Sequence, residues 1–162
     1  MIKQTASLDG SAQARGVLST LSACRAGSQT PTSALNLRLA VIAAEAKSIE
    51  AQAWGMRHAL RVRRPDYAAV NAMLAQFMYK ANSISEAISG LSEDFQDWAT
   101  SSSVYARILQ QSQVLQLFAQ DKSERLNTSA AEQGRRILAA RATGIALRAS
   151  MLHRQLSESR LD

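Results

Sequence analysis

Eight apolar residues recur at alternating steps of four and three: Leu35, Leu39, Ile42, Ala46, Ile49, Ala53, Met56 and Leu60. A strand cannot gather this pattern on one face, because its side chains alternate with a period of two. On an α-helix the same spacing makes one continuous seam. The pattern predicts a helix over 34–63, with Ser33 as N-cap, its hydroxyl accepting from a first-turn N–H. Pro65 ends it, since the residue before a proline is steered away from helical φ/ψ.

Asp66 then offers a second N-cap. The stripe that follows is Tyr67, Val70, Leu74, Phe77, Ala81, Ile84, Ile88, Leu91, Phe95 and Trp98, with no polar position and no slip of register at Gly90. It predicts one helix of about 34 residues over 66–100, roughly 50 Å long at 1.5 Å per residue, with a break at Gly90 as the main alternative. Met56, Met73 and Met78 beside Phe77 read as core at this spacing. A polar joint at Thr100 and Ser101–Ser103 precedes a third helix over 103–126. Its seam holds Val104, Ile108, Leu115 and Phe118, interrupted by Gln111 and Lys122.

Ser129 and Glu132 have the spacing of a capping box, which opens a fourth helix over 130–159. Its core stripe is Leu138, Ala142, Ile145, Ala149, Leu152 and Leu156. A second apolar row, Ile137, Ala140, Gly144, Leu147 and Met151, is expected to widen the buried face. The first 33 residues are rich in Ser, Thr, Ala, Gln and Gly and read as an arm, with a marginal helix at 11–24 carrying Val17, Leu18 and Leu21.

These elements predict an all-α fold: an up-down antiparallel four-helix bundle of long, heptad-patterned, coiled-coil-like helices with a short N-terminal arm. The competing arrangement is an open set of hairpins that completes its core only in an oligomer. Composition agrees with helices. The chain of 162 residues is 46% hydrophobic, with two prolines and seven glycines, and alanine and unbranched side chains lose little freedom in a helix. The longest apolar run, residues 39–44, is too short to span a bilayer. The opening residues lack the apolar core of a cleavable signal peptide, so cytoplasmic synthesis is expected, with non-cleaved export or particle incorporation as later fates.

The residues that carry chemistry are few. Two histidines, His58 and His153, and one cysteine, Cys24, stand far apart in sequence, so no metal-ligand spacing is present. Both histidines read as solvent-facing and Cys24 as a small apolar filler. No Gly-rich phosphate loop occurs, and no cofactor is called for. Glu93, Asp94 and Asp97 make an acidic group without the ligand density of a calcium loop.

Charge is more informative by segment: +4 over residues 34–64 and −4 over 65–100, within a net +6. An up-down order gathers Arg57, Arg61, Arg63, Arg64, Lys122, Arg125, Arg135 and Arg136 at one pole. The other pole receives Glu93, Asp94 and Asp97 together with Arg154 and Arg160. The basic pole has three explanations: cations closing a helix C-terminus, docking against an acidic protein surface, or phosphate binding.

The leading functional expectation is a non-catalytic structural or adaptor subunit of a larger assembly, with protein partners or self-association. By analogy of composition alone, a polar Ser/Thr-rich arm suits a bacterial secretion-system component or a virion or filament strap. The alternative is a basic nucleic-acid-binding accessory protein. A small helical enzyme, with Gln111 and Lys122 as its only candidate interior polar groups, is the third reading.

Overall fold

The computed structural model describes residues 30–120 and 131–161. The predicted arm, Lys122, Arg125 and the Ser129 half of the capping box lie outside them. The described residues form five helices and no strand: α1 (Pro31–Ala59), α2 (Tyr67–Asp94), α3 (Gln96–Ser101), α4 (Ser103–Gln120) and α5 (Ala131–Glu158). The all-helical expectation holds.

α1 starts earlier than the spacing predicts. Thr30, not Ser33, is the N-cap, and its hydroxyl accepts the Ser33 N–H at 3.3 Å. Pro31 opens the helix because its fixed φ suits the first helical position, where no N–H is needed. The helix also stops sooner. Leu60 caps it, and residues 61–64 are non-helical as the chain approaches Pro65. All eight seam residues are buried, none more than 4% exposed.

Asp66 caps α2 as expected, accepting the Ala69 N–H at 3.1 Å. The predicted 34-residue helix is interrupted, but at Phe95 rather than at Gly90. Phe95 leaves helical geometry (φ −131°, ψ 53°), and α3 follows as a separate short helix. Ser92 donates to the Ser89 carbonyl, and Asp97 supplies a negative charge to the first turn of α3, where the helix dipole welcomes it. The turn brings Trp98 edge-on to Tyr105 of α4, with ring centroids 5.7 Å apart. Met78, expected in the core, is 40% exposed.

The α4 seam is rotated from its predicted register. Ile108, Ser112, Leu115 and Ala119 are buried, while Phe118 is 37% exposed. Ser112 tolerates burial because its hydroxyl donates to the Leu109 carbonyl at 2.8 Å, which removes the penalty of an unpaired polar group.

The long helices make their principal contacts in a ring: α1 on α2 and α5, and α4 on α2 and α5. Named pairs give their directions. Asn36 exchanges two hydrogen bonds with the Leu161 backbone, His153 Nδ1 donates to the Ala43 carbonyl at 3.0 Å, and Arg135 donates to the Arg63 carbonyl at 3.3 Å. α1 and α5 are therefore antiparallel along their whole length. Arg38 paired with Asp94, and Lys80 with Ser48, show the same for α1 and α2. Gln116 and Gln120 both donate to Asn82 Oδ1, at 2.8 and 2.9 Å, joining α4 to α2.

The core stripe of α5 is buried as predicted, from Leu138 to Leu156, and Ala146 joins it. His153 is half-buried rather than solvent-facing, because its ring is drawn in by the Ala43 carbonyl. His58 is exposed.

Candidate interaction surfaces

The basic residues come together where α1 ends and α5 begins. Arg57 lies in the last turn of α1, its guanidinium 5.4 Å over the Trp54 ring. Arg61, Arg63 and Arg64 follow in the non-helical segment and are exposed. The helix dipole acts only within the last turn, so it accounts for Arg57 and leaves Arg63 and Arg64 unexplained. Arg135 is half-buried, and its Nη2 donates to the Arg63 carbonyl. It fastens the two segments. Arg136 pairs with Glu132 at 3.4 Å on the open face of α5. Four of these six arginines thus present charge outward, and two are engaged by the fold.

At the opposite end, Glu93, Asp94 and Asp97 are exposed around an open cleft of about 410 Å³, lined also by Leu35, Phe95, Trp98 and Leu161. Carboxylates beside aromatic rings suit a cation, but the chain supplies its own. Arg38 pairs with Asp94 and places its guanidinium 5.9 Å from the centre of the Phe95 ring. Arg160 adjoins Leu161 in the chain and so lies at this end, while Arg154 precedes it on α5. The hydrogen bond and charge of Glu158 raise the Arg154 guanidinium above its ordinary pKa.

Interior polar groups are sparse. Gln111 is half-buried, and its Oε1 is shielded from solvent with no protein donor. Among the described residues, no group of three or more His, Cys, Asp and Glu side chains gathers in reach of one metal ion. No helix among them is long and apolar enough to cross a membrane.

A surface absent from the predicted sites lies on α5. The second apolar row was expected in the core, yet Ile137, Leu147 and Met151 are 37%, 52% and 47% exposed, and Ala140 is exposed with them. The reason is angular. α1 and α4 occupy the two sides of α5 next to its core stripe, and no described element covers the remaining side. Phe118 of α4 borders the row, its ring packed over Gly144 and under the Arg148 guanidinium, 5.2 Å from the ring centre. Arg141 lies on the same border and donates to the Ala119 carbonyl at 2.9 Å. The sequence carried a signal for this: arginines at 136, 141, 148 and 154 are interleaved with the second row and spare the first.

Compared with family models, curated proteins and solved structures, the chain finds no match.

Proposed function

We propose that the four long helices form an up-down antiparallel bundle with coiled-coil-like seams, and that the chain is a non-catalytic adaptor or structural subunit of a larger protein assembly. The observation that supports this reading is the exposed apolar row on α5. Isolated surface leucines are ordinary on a folded protein. A run of apolar side chains along two turns or more of one helix, on a domain whose other seams are buried, marks a surface that docks. The antiparallel pairs along α1 and α5 support a rigid platform that holds this row straight.

The experiment is to purify the tagged full chain from its own cells under mild conditions and measure the mass of the particle it occupies. The expected mass exceeds that of a single chain, and Leu147→Gln with Met151→Gln releases a monomer of unchanged helicity. A wild-type chain found only as a monomer contradicts the proposal.

The gathering of Arg61, Arg63, Arg64 and Arg136 at one pole supports a second reading, a nucleic-acid accessory protein. That reading requires affinity that falls steeply with salt, because neutralised phosphates release counterions. Replacing Arg61, Arg63, Arg64 and Arg136 by glutamine must then abolish binding while helicity is retained. Affinity unchanged in that variant excludes it.

A further inference from the structure

The α5 face has a charge pattern that selects among occupants. Ile137, Gly144, Leu147 and Met151 fall on one side of the helix at steps of seven, three and four, covering about 21 Å at 1.5 Å per residue. Arg141 and Arg148 run along the border shared with α4. Arg136 precedes Ala140 by four residues and Arg154 follows Leu147 by seven, which places them at the two ends of the row. Their side chains are 80% and 79% exposed, and among the described residues each pairs with a glutamate of its own helix. Exposed pairs of this kind hold only weakly in water, so a partner's carboxylates displace them readily. From 131 to 158 the chain carries five arginines against two glutamates.

This pattern disfavours two occupants that the chain itself could supply. A second α5 would set arginine against arginine. The N-terminal segment 1–29 carries Lys3, Arg15 and Arg25 against Asp9 alone, so it brings the same sign. Like charges held together across an interface cost affinity, whereas opposite charges steer and orient.

We infer that the outer face of α5, from Ile137 to Met151, is the docking site for an acidic amphipathic helix of a partner protein. The inference rests on the adaptor reading and adds the chemistry of the partner. Apolar anchors at i, i+3, i+4 and i+7 would lie along the row beside Phe118, in the manner of a helix laid against an apolar face. Glutamates or aspartates flanking those anchors would meet Arg148 on one side and Arg136 and Arg154 at the ends.

The test uses the full chain and two synthetic helical peptides of about 18 residues, long enough to cover the row. Both carry the same leucine stripe; one is flanked by glutamates, the other by lysines. Fluorescence anisotropy at physiological salt is expected to show the glutamate peptide binding about tenfold tighter or more. Leu147→Gln with Met151→Gln should weaken it by a similar factor, and Arg148→Gln with Arg154→Gln should remove the preference between peptides. Equal binding of both peptides overturns the acidic partner while leaving the adaptor reading intact. Absence of binding by either peptide, or binding unaffected by the position 147 and 151 changes, overturns the site. A spin label on Cys24, the single cysteine, also tests the chain's own segment. Broadening of the Met151 methyl resonance by that label would show residues 1–29 covering the row, and would overturn the inference.

Discussion

The Phe118 ring lies so close over Gly144 that a Cβ added there would meet two ring carbons at 2.8 Å. This contact sets the border between α4 and the open face of α5. Glycine is needed here for space, because Phe118 cannot sit over the helix backbone beside a larger residue. Replacing Gly144 by alanine gains helix propensity worth about 0.5–1 kcal/mol but forces the half-exposed ring outward. The expected result is a small net change in melting temperature, together with loss of the nuclear Overhauser contacts between Phe118 and residue 144.

Gly55 and Gly90 behave differently. A Cβ at either position meets nothing within 4 Å, and both lie inside long helices. Gly55→Ala and Gly90→Ala should each stabilise the fold by about 0.5–1 kcal/mol, the ordinary propensity difference, read as a shift in urea midpoint. A loss of stability at Gly90 would contradict the open space around it.

Two neighbours on α5 should respond in opposite ways to the same truncation. Ile145 is fully buried and Leu147 is 52% exposed. Ile145→Ala should cost about 2–5 kcal/mol, because it leaves a cavity in the seam. Leu147→Ala should stay within about 0.5 kcal/mol of the parent. Chemical denaturation of the two variants checks which side of α5 faces the core.

Asp66 holds the first turn of α2 through the Ala69 N–H. Asp66→Ala should cost about 1 kcal/mol. Thr30→Ala should cost less, since its cap bond is longer, 3.3 Å against 3.1 Å. Paired thermal melts of the two variants test the order.

The seams were legible because repetition over many turns leaves only one face consistent with burial. Leu35 to Leu60 and Leu138 to Leu156 are buried as their spacing requires. Shorter signals failed. In α4 the seam holds at Val104, Ile108 and Leu115, but its last apolar residue, Phe118, is half-exposed, while Ser112 and Ala119 are buried, the serine bonded to its own helix. The break at Phe95 left no gap in apolar spacing, since α3 resumes with Trp98 still against the core. On α5 two apolar rows competed, and spacing alone could not say that neighbours would cover only one. The basic pole was legible in part: the up-down order places Arg135 beside Arg63, but that Arg57 and Arg135 serve the fold rather than the surface follows only from their contacts.

The central claim is that α5 docks a partner through its outer face. A photo-crosslinking amino acid placed at position 147 in the full chain, expressed in its own cells, tests it most directly, with Arg107 on the exposed side of α4 as the control position. The account predicts one discrete crosslinked product from position 147, formed with another protein, and none from position 107. Crosslinks absent from position 147, or equal at both positions, would contradict it.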